Sequence, residues 1–550
     1  MAWYDSAVFY HIYPLGLCGC PHDNNGETGA HFDKLNEWAE HAKRIGCNAI
    51  YIGPLFESGS HGYDTTDYRL VDRRLGTNDD FKQFVKNCHA NDVKVIVDGV
   101  FNHTGRDFFA FQDIKKNREN SRYKDWYCNV NFWGNNEYND GFSYDNWGGY
   151  NLLAKLNLWN PEVRNYHLET VKFWVEEFDI DGIRLDAADV LDFGFMKELR
   201  SFCNGLKPDF WLMGEVIHGD YSRWANNDML HSVTNYELHK GLYSGHNDHN
   251  YFEIAHTIKR LNGIVGDKKL YTFCDNHDVA RIYSKLNNKA HMYNVAILVY
   301  TVPGIPSIYY GSEFGIPGNK ENGSDWNLRP DLNLADFNEK DELPALYTTL
   351  GHLKQRFPEL TYGDYRELYL TTGQFAFARC LDGRAVVTAL NNADNGAHME
   401  INLPIGANKA VNLLTIDQTT EVQEDTCTDD ATAKAWENAR NELLDKAGQL
   451  VGASGEIRYK AEDIRKALEA LETGADFGQA VWNLFGNLND TMNNMHRVIG
   501  EFEQTMHKQE RNSVAAGGDC TGGESLEIRD GKLIVDLPAN KGVVVYLTNE

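Results

Sequence analysis

Apolar residues recur along this chain in two periods, and the period changes with position. From the start to about Phe357, short strand-like runs alternate with amphipathic stretches. The runs are AVFYHIYP, NAIYIGP, VKVIVDGV, DGIRLDA, FWLMGEV, SVTNYE, LYTFCDNHD and IPSIYYG. Helical patterns such as HFDKLNEWAEHAKRIG and DDFKQFVKNCHAND lie between them. This alternation predicts a parallel sheet, and eight repeats predict a closed (β/α)8 TIM barrel of the α/β class. A doubly wound open sheet is the alternative, but its phosphate-binding glycine fingerprint is missing from the sequence.

One connection is long. After VFNHT, roughly fifty aromatic-rich residues precede the helical pattern NPEVRNYHLETVKFWVEEF. Rings interleaved with Asn and Asp suit sugar stacking, and equally a small self-packed loop core. From Pro358 the pattern becomes short strands, QFAFARCL, RAVVTALNN and HMEINLP, with LEIRDGKLIVDLP and KGVVVYL at the end. RDGK is a hairpin turn, so this part is a small antiparallel β-domain.

A helical segment interrupts that β-domain. Trp436, Ala439, Leu443, Ala447 and Leu450 follow 3–4 spacing, as do Ile457, Ala461, Ile464, Leu468 and Leu471. A third set is Val481, Leu484, Leu488, Met495, Val498 and Phe502. Three amphipathic helices in an antiparallel bundle are expected, with GASG and ETGA as turns. Cys427 and Cys520 bracket the bundle and would staple its base by a disulfide. Two readings stay open: an inserted autonomous module, engineered into a hairpin loop, or a natural insertion with free thiols. The expected organisation is barrel 1–103, excursion 104–150, barrel 151–357, β-domain 358–420, helical insert 421–524 and β-domain 525–550.

Composition narrows the partners. The chain has 550 residues and a formal charge of -27, which argues against nucleic acid and anionic membranes, since both are negative. No signal peptide and no apolar stretch of spanning length are evident, so a cytoplasmic location is expected. The 10 Cys are scattered without metal-ligand spacing, and CGC at Cys18 to Cys20 is too tight for a zinc knuckle.

The candidate chemistry centres on DGIRLDAAD, Asp181 to Asp189. Ile183 and Leu185 alternate with Arg184 and Asp186, so one face of a short strand carries a guanidinium beside a carboxylate. A buried structural ion pair is one reading, and a site with an activated carboxylate is the other. Polar residues also fall at the ends of other predicted strands: Asp98, Asn102 and His103; Glu215; His277 and Asp278. Retaining glycoside hydrolysis needs two carboxylates about 5 Å apart, one ionised and attacking, one protonated and donating. Arg184 would keep Asp186 ionised, while the negative charges of Asp186 and Asp278 would favour protonated Glu215. The third carboxylate, with His103 and His277, would bind sugar hydroxyls.

These motifs resemble glycoside hydrolase family 13, the α-amylase family. The resemblance covers Met1 to about Asp417 and resumes at about Leu526. It rests on DGVFNH, GIRLDAAD, GEV around Glu215, FCDNHD, HGYDTTDY and GIPSIYYGSEFG. It implies Asp186 as nucleophile, Glu215 as general acid/base and Asp278 as transition-state stabiliser. Arg184, His103, His277 and Asp98 would complete the pocket, with Tyr63 stacking under the sugar. The aromatic excursion corresponds to the family's domain B and the terminal β-domain to its domain C.

LAKLNLWNPEV and Tyr63-Asp64-Thr65 resemble the neopullulanase and cyclomaltodextrinase branch. The N-terminal β-domain through which those enzymes dimerise is not seen here, so a monomer is expected. Asp189 and Val190 stand where many α-amylases carry Lys-His at the leaving-group side. SDWNLRP would supply a donor-side clamp through Asp325 and Arg329. No cofactor is needed for such chemistry. Asn102 matches a family calcium ligand, but Lys155 replaces the domain-B Asp, so Asn102 serves either structural Ca2+ or loop hydrogen bonding. The leading expectation is hydrolysis of α-1,4-glucosidic bonds in maltooligosaccharides and starch-type glucans. A transglycosylase or a sucrose- or trehalose-acting relative would share the residues. An amylase-fold scaffold displaying the insert, itself a candidate site for a protein partner, is the third.

Overall fold

The computed structural model describes residues 2–416 and 522–549. The predicted three-helix segment, with Cys427 and Cys520, lies outside the described residues.

Eight parallel strands make one sheet: β1 (Phe9–Ile12), β2 (Ala49–Ile52), β3 (Lys94–Gly99), β4 (Gly182–Leu185), β5 (Trp211–Gly214), β6 (Ser232–Val233), β7 (Tyr271–Phe273) and β8 (Ile305–Tyr309). They pair in chain order from β1 to β6, and β1 also pairs with β8, which pairs with β7. A parallel bridge from Thr234, just past β6, to Tyr271 of β7 closes the ring. Each of the eight predicted runs contains one of these strands.

The long helices follow the expected alternation except that two of them, α5 and α6, lie between β6 and β7: α1 (Phe32–Arg44), α2 (Asn78–Ala90), α3 (Pro161–Phe178), α4 (Phe193–Leu206), α5 (Tyr236–Asn247), α6 (Tyr251–Val265), α7 (Met292–Thr301) and α8 (Glu342–Arg356). Their ends are specified locally. Thr77 and Asp80 form a capping box on α2. Asn160 caps α3 ahead of Pro161 at its first turn, and the helix stops at Asp179 in the left-handed region. Only a short 3-10 turn, Tyr221–Arg223, lies between β5 and β6.

Strand alternation sorts side chains between two environments. One set, including Val8, Tyr10, Ile50, Ile52, Val95, Val97, Ile183 and Leu185, is buried in the large core shared with the helices. The other set points into the barrel, where Phe9, Ala49, Ile96, Trp211, Tyr271 and Ile305 form a separate buried cluster. Two residues further along their strands, that inward face turns polar, with His11, Tyr51 and Asp98. Asp98 and Arg184 are register partners across β3 and β4. The apolar plug therefore supports a polar floor at the strands' C-terminal ends.

The excursion after β3 builds a three-stranded antiparallel sheet from His103–Thr104, Asn146–Trp147 and Tyr150–Lys155. The last strand begins at position 150, where the sequence reading ends this segment, and continues to Lys155. Phe111, Tyr127, Phe142 and Tyr144 pack together beneath it, with Phe111 4.9 Å from Tyr144. Trp133, Trp147 and Tyr150 remain exposed. The self-packed loop core therefore forms from the inner rings of the run.

The terminal β-domain holds β9 (Asp364–Leu370), β10 (Gln374–Leu381), β11 (Arg384–Asn391), β12 (Ala397–Asn402), β13 (Lys409–Asn412), β14 (Lys532–Leu537) and β15 (Gly542–Thr548). One sheet has the order β9-β10-β11-β15-β13, extended by Glu524–Ser525, and β12 and β14 pair in a second sheet with Ile528–Arg529. Met399, Ile401, Leu533 and Val535 of the second sheet share a core with Ala378, Val387 and Val545 of the first. The RDGK turn forms as expected: Asp530 and Gly531 both have positive φ, 52° and 75°, as a type I′ hairpin requires.

Candidate active site

Asp98 ends the inward face of β3, Arg184 lies on β4, and Asp186 follows β4 directly. Glu215 follows β5, and His277 and Asp278 lie in the segment after β7. Closure of the barrel brings these strand ends to one mouth. The Arg184 guanidinium is their hub. Its Nη1 lies 2.9 Å from Asp98 Oδ1 and 2.8 Å from Asp186 Oδ1, and its Nη2 lies 2.8 Å from Glu215 Oε2. Asp186 and Glu215 are 8% and 9% exposed, reachable from the mouth yet largely out of water.

Backbone geometry sharpens the turn after Asp186. Ala187 has φ 50° and ψ 45°, a left-handed conformation that a Cβ-bearing residue adopts only when its surroundings impose it. In that conformation its N–H donates to Glu215 Oε2 at 3.2 Å. On the other side, Tyr51 donates its hydroxyl to Asp98 Oδ2 at 2.7 Å.

The electrostatics differ from the expectation in one respect. Arg184 does not single out Asp186, because the same guanidinium also meets Glu215 and Asp98. Burial pushes the Asp186 carboxyl well above its ordinary range; Arg184 pulls it down, and Glu215 and Asp98 push it up again. A single guanidinium thus faces three buried carboxylates, and for Asp186 burial and its carboxylate neighbours outweigh it. Arg184 itself stays charged: burial opposes this, but Glu215, Tyr51 and Asp98 outweigh it. Asp278 behaves oppositely. Burial would raise it, yet His277, Arg329 and Arg184 hold its carboxyl far below the usual range. Its Oδ1 lies 2.9 Å from Arg329 Nη2 and its Oδ2 lies 3.0 Å from His277 Nε2.

The other expected residues fall as follows. Tyr63 stacks on His277 with ring centroids 5.6 Å apart, and its hydroxyl meets His277 Nε2. His103 lies at the site, but protein groups engage both its nitrogens: Tyr63 O at 3.2 Å from Nε2, and Asn102 Nδ2 at 3.2 Å from Nδ1. Burial pushes its imidazole down to about 3, with the Tyr63 carbonyl opposing, so it is neutral. Arg329 joins the site through Asp278, the His277 carbonyl at 3.1 Å and the Tyr13 hydroxyl at 3.2 Å. Asp325 stands behind it, 3.6 Å from Arg329 and 2.8 Å from Lys320.

Sequence reasoning passed over Tyr51, Tyr236 and Asn276. Tyr236 donates to Glu215 Oε1 at 3.2 Å, and Asn276 Nδ2 donates to the Tyr236 hydroxyl at 3.0 Å. Their signal was present, since each lies on or just beyond a predicted strand, but an uncharged residue there does not stand out from core.

The residues around Asn102 do not fit calcium. Its amide donates to the His103 imidazole, and Lys155, a cation, is the register partner of His103 on the returning strand. A hard cation needs several oxygen ligands, with carboxylates among them. Among the described residues no group of three or more His, Cys, Asp or Glu is arranged for a metal. Loop hydrogen bonding is thus the reading of Asn102 that the geometry supports.

A closed (β/α)8 barrel with carboxylates and a guanidinium at its C-terminal mouth, a domain-B excursion and a terminal β-sandwich together define an α-amylase-type glycosidase. Residues 22–357 match the family model for the alpha amylase catalytic domain. A cyclomaltodextrinase of Thermoanaerobacter pseudethanolicus is 31% identical over 427 residues, 71% of this chain and 71% of that one. Neopullulanase 2 of Thermoactinomyces vulgaris is 29% identical, over 74% and 73% of the two chains. The solved structure of a debranching enzyme from Nostoc punctiforme superposes with a TM-score of 0.67 at 29% identity, covering 74% of this chain and 92% of that one. The chain belongs to the α-amylase family, glycoside hydrolase family 13, in its neopullulanase-like branch. No helix among the described residues is long and apolar enough to cross a membrane.

Proposed function

We propose that this enzyme hydrolyses α-1,4-glucosidic bonds of maltooligosaccharides, linear or cyclic, with retention at the anomeric carbon. The observation that carries this is the Arg184 fork, with Asp186 on one nitrogen and Glu215 on the other at 2.8 Å each. In the productive form Asp186 is ionised and Glu215 holds the proton. An Asp186 oxygen attacks C1 of the sugar, the C1–O bond breaks, and the Glu215 proton goes to the departing oxygen. Water then gives its proton to Glu215 and attacks C1, releasing Asp186. Asp278, held ionised by His277 and Arg329, accepts hydrogen bonds from sugar hydroxyls and favours ring distortion. Tyr63 supplies the platform beneath the ring. Cyclic substrates are included because the relatives named above include a cyclomaltodextrinase.

The test is a product assay on maltoheptaose, β-cyclodextrin and pullulan, each with Glu215→Gln alongside and the anomer followed by NMR. The expected result is cleavage of at least the linear substrate, an α-anomer released first, and loss of turnover of about a thousandfold or more in the mutant. A β-anomer, or near-normal turnover by Glu215→Gln, overturns the proposal.

A further inference from the structure

The two oxygens of Glu215 have different surroundings. Oε2 faces two donors, the Arg184 guanidinium at 2.8 Å and the Ala187 amide at 3.2 Å. A proton on Oε2 would point at donors on both sides, so Oε2 is the oxygen that carries none. Oε1 faces one neutral group, the Tyr236 hydroxyl, at 3.2 Å. That hydroxyl is oriented in turn. Asn276 Nδ2 donates into it at 3.0 Å, which occupies an acceptor lone pair and leaves the hydroxyl hydrogen to point at Glu215. Asn276 is itself fixed, because its Oδ1 accepts the amides of Asp278 at 2.9 Å and Val279 at 3.2 Å.

We propose that Tyr236, aimed by Asn276, is a positioning residue that places the acid proton of Glu215 on Oε1 and stabilises the carboxylate left when that proton is delivered. This rests on the role of Glu215 proposed above. With the proton on Oε1, one lone pair of that oxygen accepts from Tyr236 while the O–H is free to meet the glycosidic oxygen. As the proton moves to the leaving group, negative charge grows on Oε1 and the Tyr236 hydrogen bond strengthens. No proton leaves Tyr236. Burial, with Glu215 and Asp278 nearby, pushes its phenol well above the ordinary range, so it acts only as a neutral donor. The chain Asn276–Tyr236–Glu215–Arg184 thus links the segment after β7 to β4 through the carboxyl that must alternate between acid and base.

The experiment compares Tyr236→Phe with the unaltered enzyme on maltotriose, which needs leaving-group protonation, and on α-maltosyl fluoride, which does not. The expected result is a fall in kcat on maltotriose of roughly tenfold to a hundredfold with KM little changed. The loss in kcat/KM should be at least about fivefold smaller on the fluoride, and the alkaline limb on maltotriose should move to higher pH. Equal losses on both substrates with an unmoved pH profile overturn the inference and leave Tyr236 a packing residue. Glu215→Gln separates the two claims: if it cleaves maltotriose normally, the assignment of Glu215 fails; if it is inactive while Tyr236→Phe is normal, only this inference fails. Should Tyr236→Phe not fold, Asn276→Asp keeps the acceptor for the Asp278 and Val279 amides but removes the donor to Tyr236. The same selective loss on maltotriose is expected, and its absence overturns the inference.

Discussion

Arg184 shows what one side chain does when several strands converge on it. Its planar fork reaches three carboxylates at 2.8–2.9 Å, a geometry that a lysine point charge cannot reproduce. Replacing it leaves Asp98, Asp186 and Glu215 buried without a counter-charge. Arg184→Met is therefore expected to cost about 3–5 kcal/mol at neutral pH, read from urea unfolding. The deficit should shrink at acid pH as the orphaned carboxylates take up protons; a deficit that does not depend on pH would mean lost packing is the cause. Activity on maltoheptaose should fall with it, because Asp186 and Glu215 lose their common anchor. Asp186→Ala, by contrast, should abolish turnover with the melting temperature kept or raised, since it removes a crowded charge.

At the scale of elements, the barrel's opposite end carries a second charge cluster that holds β4 to its neighbours. Asp181, at the entrance to β4, accepts the Val95 amide of β3 at 2.9 Å and meets His89 of α2 at 2.7 Å. Lys207 lies 3.0 Å away, just after α4, and Lys94 3.3 Å away. Burial works against the charge here, but the His89 bond, Lys207 and the Val95 amide outweigh it and draw the carboxyl from 3.8 down to about 2. Because the folded value lies below the unfolded one, the stabilisation is present above about pH 4 and is lost as pH falls towards 2. Asp181→Asn should thus cost about 2–3 kcal/mol at pH 7, and the gap should narrow to about half of that when unfolding is measured at pH 3. A gap of equal size at both pH values would show that the amide substitution disturbs packing rather than charge.

At the scale of the whole molecule, the two flanks of the sequence-predicted insert meet in space. Val411 pairs with Ser525 and Asn412 with Glu524, and the Glu524 amide donates to Thr415 Oγ1 at 2.8 Å. Antiparallel partners lie about 5 Å apart, so a few residues suffice to join them. Replacing 421–523 by a short Gly-Ser bridge should leave a folded enzyme with kcat/KM on maltoheptaose within about twofold of the full chain. Circular dichroism and the maltoheptaose assay check this, and an aggregated product would mean that the excised residues contribute to the β-domain's core.

The sequence by itself determined the eight barrel strands, the faces they present and the carboxylates at their ends. Those features are periodic and local: Ile183 and Leu185 must leave Arg184 and Asp186 on the other side of the same strand. The RDGK turn was legible for the same reason, since it is satisfied within a few residues. Tertiary structure alone decided which charges share a partner. That Arg184 serves Glu215 as well as Asp186, that Arg329 reaches back to Asp278, and that Tyr236 and Asn276 form a relay onto Glu215 all depend on ring closure between distant strand ends. The order of strands in the β-domain, where consecutive β14 and β15 enter different sheets, depends likewise on non-local pairing. Periodicity tells which way a side chain faces; only the closed barrel tells what it meets.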